Sequence, residues 1–158
     1  MLCVGHDEAL LRAVLDRKPD EIKAAVLAGA RVNASPEARC PPAVAATMID
    51  HVGMLQYLLE HGADPDRPVT GDWTWPRFNI VARLGERPLH IASIGQNVDM
   101  FRLLLNRGRA DPNVTDNIGR TPLMVSCLNP FVKIVVARLL LDAGADPTLA
   151  EEQGVISL

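Results

Sequence analysis

Apolar residues return along this chain in one recurring arrangement. LLEHGADPD at 58–66 reappears as LLLNRGRADPN at 103–113 and as LLLDAGADPT at 139–148, with a worn copy, AVLAGARVN, at 25–33. Each of the three clear copies closes a leucine-rich segment: VGMLQYLL, VDMFRLLL and VKIVVARLLL. A shorter apolar segment precedes each one, opened by a proline: PPAVAATMI, RPLHIASI and TPLMVSCL. Proline costs little at a helix start, where its missing N–H would have lacked a partner anyway. Small residues in the short helix (Ala45, Ala46, Ala92, Ser93, Ser126) let neighbouring units approach closely. Glycine stops the second helix because it tolerates positive φ. Asp64-Pro65, Asp111-Pro112 and Asp146-Pro147 then begin an extended turn. A helix–turn–helix unit with a hairpin cannot bury its apolar faces alone, but a stack of them can. The pattern predicts an all-α repeat fold, a curved α-solenoid.

The repeat also serves as a ruler. Anchored on Gly29, Gly62, Gly108 and Gly144, the spacings are 33, 46 and 36 residues. One residue is inserted at Arg109, two within 128–137, and roughly a dozen within 67–83. The units run at about 8–36, 37–66, 84–116 and 117–150, with 67–83 as an expanded finger loop, all in one domain. Gly154-Val155-Ile156-Ser157-Leu158 falls where a fifth unit should open. Without a polar outer helix, the apolar face of the fourth unit is left open. Either the chain continues in a longer protein, the preferred reading, or that face meets a partner or a second copy.

Composition narrows the classes of function. A hydrophobic share of 48% suits a folded domain, and no apolar run nears the roughly 18 residues of a membrane span. The opening MLCVGHDEALLRAV lacks the basic and apolar regions of a secretory signal. Three unevenly spaced cysteines (Cys3, Cys40, Cys127) argue for a reducing, cytoplasmic or nuclear location. Cys127, inside a short helix, is expected to be buried, and Cys40, beside a hairpin, exposed. The net charge of −3 argues against nucleic acid as a partner. Only the middle is net positive, with eight arginines against five acids over 67–120. No phosphate loop, G-x-S-x-G elbow, H-E-x-x-H helix or zinc spacing occurs, so neither catalysis nor a metal or cofactor is expected.

The openings Gly119-Arg120-Thr121-Pro122-Leu123 and Gly85-Glu86-Arg87-Pro88-Leu89-His90 resemble the G-x-TPLH opening of ankyrin repeats. The Gly-Ala-Asp phrases resemble that family's hairpin, and 10–33 resembles its N-terminal capping unit. The resemblance implies a structural role for His90, whose imidazole would hydrogen-bond nearby backbone. His51 takes the same kind of place, with Asp50 standing where the family has glycine. Leu105…Asp111-Pro112-Asn113 resembles the family's pattern for asparagine hydroxylation. The resemblance also places Leu15, Met48, Ile94 and Leu128 toward a concave groove, where they either form an exposed stripe or pack between helices. An exposed stripe predicts an apolar peptide or helix as ligand. Arg83, Arg87, Arg109 and Arg120 on the hairpin side would favour an acidic flank.

The finger holds Trp73, Trp75 and Phe78, three of the six aromatic residues, together with Arg67, Arg77 and Arg83. Its aromatics argue against plain disorder. Two readings stay open: the tryptophans cover apolar surface on the stack, or Trp73, Trp75, Arg77 and Phe78 form a recognition patch. The function expected is non-catalytic recognition of a protein or peptide through groove, hairpin tips and finger. The alternatives are a small-molecule pocket or unusual enzyme where the finger covers the groove, and an assembly segment of a larger protein.

Overall fold

Prolines set the starts of the helices. In a computed structural model, residues 4–33, 38–75, 80–95, 97–128 and 133–149 are described. Helices α1 (Val4–Leu15) and α2 (Pro19–Leu27) form the first pair, and α3 (Pro42–Met48) and α4 (Val52–Glu60) the second. Next come α5 (Pro88–Ile94) and α6 (Val98–Arg102), the latter running on as a π turn, Leu103–Arg107. Helices α7 (Pro122–Cys127) and α8 (Lys133–Asp142) complete the described stack. Pro19, Pro42, Pro88 and Pro122 all occupy the first turn of their helices. Side-chain caps hold the starts of α6 and α7: Asn97 Oδ1 accepts from the Asp99 and Met100 N–H groups at α6, and Thr121 Oγ1 accepts from Met124 N–H at α7.

The first helices of the pairs lie side by side in the order α1, α3, α5, α7, and each packs on its own second helix. Small residues make the close approach possible: Ala45, Ala46, Ala92, Ser93 and Ser126 are all buried. Three buried hydroxyls are satisfied within their own helices. Thr47 donates to Ala43 O, Ser93 to Leu89 O and Ser126 to Leu123 O. Leu10, Val14, Leu55, Leu58, Leu89, Phe101, Leu104 and Leu140 fill the space between the two layers and are fully buried.

The turn after each second helix requires one left-handed residue. Gly29, Gly62 and Gly144 supply it, with φ of 91°, 88° and 93°. In the third pair the anchor shifts by one, because Gly108 has φ −69° and Arg109 takes φ 55° instead. The alanine N–H after the turn reaches back five residues in the other pairs, as from Ala63 to Leu58 O. Ala110 reaches back six, to Leu104 O. The inserted residue thus lies within the helix, which widens into a π turn to hold it.

The 67–83 insertion carries an antiparallel strand pair. Strand β1 (Trp73–Trp75) pairs antiparallel with β2 (Ile80–Ala82), with Thr74 opposite Val81. Its base is tied to the stack by Val69 N–H to Glu86 O, Gly85 N–H to Val69 O and Thr70 N–H to Arg39 O. Gly85 (φ 80°) sits where a Cβ would lie 2.4 Å from the Asn117 nitrogen, so only glycine fits.

Candidate functional site: the groove edge between the second and third helix pairs

Asparagine side chains bridge successive hairpins. Asn33 donates Nδ2–H to Gly62 O and accepts from Asp64 N–H, and Asn113 does the same toward Gly144 O and Asp146 N–H. The Asn113 amide is therefore engaged in the ladder. Asp66 stands in the equivalent place of the second pair. Its carboxylate accepts from Asp111 N–H at 3.0 Å and has no N–H to offer the carbonyl opposite. Burial raises its pKa above the usual carboxylate value, the Asp111 N–H opposing that rise. Sequence reading passed over this ladder, although its signal, residues 33, 66 and 113 each four past a turn residue, was available.

His90 is fully buried and occupied by backbone. Its Nδ1 accepts from Arg87 N–H at 3.3 Å, which leaves Nε2 to carry the hydrogen toward Arg120 O at 2.8 Å. Burial lowers its pKa. His51 caps α4, its Nδ1 accepting from Met54 N–H. Both imidazoles serve structure, as the sequence implied.

The arginines divide into two kinds. Arg83 is exposed, and its guanidinium makes no ion pair among the described residues. Arg87, expected to face an acidic ligand, instead donates to the carbonyls of Asp66, Gly85 and Thr115. Arg120 is likewise turned inward, paired with Asp116 at 2.7 Å and near Glu86 at 3.9 Å. Burial pushes the Asp116 carboxyl upward, but the Arg120 and Ile118 N–H groups and the guanidinium outweigh it, and its pKa falls below the usual value. The turns need these two cations to satisfy buried carbonyls and carboxylates, so neither is left for a partner.

The groove stripe survives in part. Met48 is half-buried, whereas Ile94 and Leu128 are 54% and 65% exposed at the ends of their helices. Leu15 is fully buried and leaves the stripe. Its neighbour is the polar Asp16, so the leucine takes the inward place and the carboxylate the wetter one. Between the ends of α3 and α5 lies an open cleft of about 290 Å³. Met48, Ile91, Ile94 and Met100 line it, with Val81 of β2 on one side and Asp50 on its rim. Trp73 and Trp75 lie on β1, and their side chains are outside the described residues, as are Arg77 and Phe78 entirely.

The two cysteine expectations are reversed. Cys40 is buried, and burial pushes its thiol up to about 12. Cys127 is exposed. It occupies the place of Thr47 and Ser93, which the following helix pair buries, and no described helix pair follows α7 and α8 to bury it. Among the described residues no cluster of three or more His, Cys, Asp or Glu could hold a metal ion. No described helix is long and apolar enough to cross a membrane.

Comparison with known proteins accords with this architecture. A family model described as ankyrin repeats (3 copies) matches residues 73–151, and one described as ankyrin repeat matches 43–68. Alpha-latrocrustotoxin-Lt1a of Latrodectus tredecimguttatus is 29% identical over 105 residues, covering 66% of this chain and 6% of that protein. Transient receptor potential cation channel subfamily A member 1 of Homo sapiens is 27% identical over 105 residues, covering 66% of this chain and 8% of the channel. Transient receptor potential channel pyrexia of Drosophila melanogaster is 46% identical over 55 residues, covering 35% of this chain and 6% of its own length. The chain thus spans less than a tenth of each of these three relatives.

Proposed function

This chain belongs to the ankyrin-repeat family, and we propose that it is a non-catalytic protein-recognition module acting as an adaptor or scaffold in the cytoplasm or nucleus. The carrying observation is the exposed apolar edge, Ile94 and Leu128 with half-buried Met48, beside the cleft between α3 and α5. Exposed aliphatic side chains at successive helix ends suit the apolar face of a peptide or helix better than they suit water. Three groups with chemical potential are used elsewhere: His90 and His51 in backbone bonds, Cys40 in the core.

In this reading the finger adds Trp73, Trp75, Arg77 and Phe78 to the contact, and Arg83 meets an acidic flank of the partner. The small-molecule alternative ranks second. The cleft lies at the lower end of the few hundred to 1,000 Å³ usual for such sites, and it is open. A third role, as an assembly segment of a larger protein, draws support from the great length of the relatives. The exposed Ile134, Val135 and Leu141 of α8 would be the surface on which a further unit or a second copy packs.

The test is quantitative capture from extracts of the source cells, comparing the chain with an Ile94→Ser/Leu128→Ser variant. Both side chains are exposed, so unfolding free energy should change by less than about 0.5 kcal/mol. Captured partners should fall at least about tenfold if the edge contributes roughly 1.4 kcal/mol or more. Undiminished capture by a stable double variant overturns the groove reading.

A further inference from the structure

The cleft between α3 and α5 pairs apolar walls with one fixed carboxylate. Asp50 stands on its rim in a left-handed turn (φ 56°), a conformation Asp and Asn accept more readily than most residues. Asn97 is immobilised as the cap of α6, its Oδ1 accepting from Asp99 and Met100 N–H. Its Nδ2–H is thereby aimed at Asp50 Oδ1, at 2.8 Å. Asp50 has no ion pair among the described residues, and the cationic Arg17 beneath it is engaged with Ile49 O at 2.7 Å. One carboxylate oxygen is therefore held by the stack, and the second is available to a ligand. No other described side chain lining the cleft is charged.

We infer that the partner segment seated in this cleft carries an aliphatic side chain with a lysine or arginine within about three residues of it. The aliphatic group enters against Met48, Ile91, Ile94 and Met100, and the cation meets the free oxygen of Asp50. This rests on the recognition reading above and gives it a sign. Two of the four arginines that would have favoured an acidic flank, Arg87 and Arg120, are used inside the turns. At the cleft itself the complementary charge is positive.

The probe is a phage-displayed library of random 12-residue peptides panned against the full chain, followed by synthetic peptides differing only in Lys against Glu beside the aliphatic residue. Peptides that lose binding to an Ile94→Arg variant define cleft binders. Among these, the Lys form should bind more tightly than the Glu form. Asp50→Asn, which keeps the turn conformation and the acceptor for Asn97, should erase that preference and weaken the Lys form about two- to fivefold, the size of an exposed ion pair. Raised salt should do the same. Cleft binders without a basic preference, or with one that Asp50→Asn leaves unchanged, overturn the inference while groove recognition stands. If no peptide depends on Ile94, the groove reading falls with it.

Discussion

His90 holds one proton in a network with no place for a second. Nδ1 faces the Arg87 N–H, so protonation there would set donor against donor in a buried site. Its pKa is therefore below the usual 6.5, with burial the main cause. The unfolded chain takes up this proton near 6.5 while the native state stays neutral. Stability accordingly falls as pH drops from 6.5 toward the depressed native value, and the loss levels off beyond it. Asp116 acts in a lower window. Its native pKa lies below 3.8, so its stabilising contribution is present above 3.8 and is lost as pH falls through the native value. Urea unfolding at about pH 7.5 and about pH 5 should show the His90 window, and His90→Gln should shrink it. The variant should also lose about 1–3 kcal/mol at the higher pH through imperfectly paired backbone. An unchanged difference between the two pH values would exclude His90 as its source. The histidine's role was legible because family resemblance marks its position. The inward turn of Arg87 was not, since a carbonyl 21 or 28 residues away leaves no local signature.

A single inserted residue changes the third hairpin through its helix. The π turn brings Gly108 so close to the preceding turn that a Cβ would lie 2.6 Å from Leu104 O. Arg109 then occupies the left-handed place at φ 55°. Two substitutions should act in opposite directions. Gly108→Ala should destabilise by about 1–3 kcal/mol through that clash. Arg109→Gly should stabilise by roughly 0.5–1 kcal/mol by relieving the left-handed strain. Thermal and urea unfolding of both variants would decide it, and a stable Gly108→Ala would mean the helix keeps ordinary α geometry there. The extra residue was visible in the repeat spacing. Where the chain would absorb it was not, because a widened helix and a bulged turn add the same single residue.

Across the stack, equivalent positions differ by what packs on them. Leu59 and Leu105 pack against the core, while Leu141, at the same place in α8, is 46% exposed. Thr47 and Ser93 are buried, while Cys127 is exposed. Lysine should therefore be tolerated unequally: Leu105→Lys should cost at least about 2 kcal/mol and Leu141→Lys less than about 0.5 kcal/mol. Equal costs in urea unfolding would show that further structure covers α8. Of the groove residues, Ile94 and Leu128 are exposed and Met48 is half-buried, while Leu15 takes the packed place that the sequence reading also allowed. Leu15 ends the 12-residue α1, where a shift of one position, about 100° around the helix, decides whether Leu15 or Asp16 faces inward.

Periodicity, prolines and turn glycines determined the repeat, the helix pairing and the sites of insertion without any contact being known. Those signals are local, because each states what a few adjacent backbone groups can do. Packing between units decided the remainder: which arginines are consumed, which cysteine is exposed, which leucine leaves the groove, and that Asp50 meets Asn97 47 residues away at a cleft edge. Such outcomes depend on neighbours distant in the chain, and so only the stacked structure could set them.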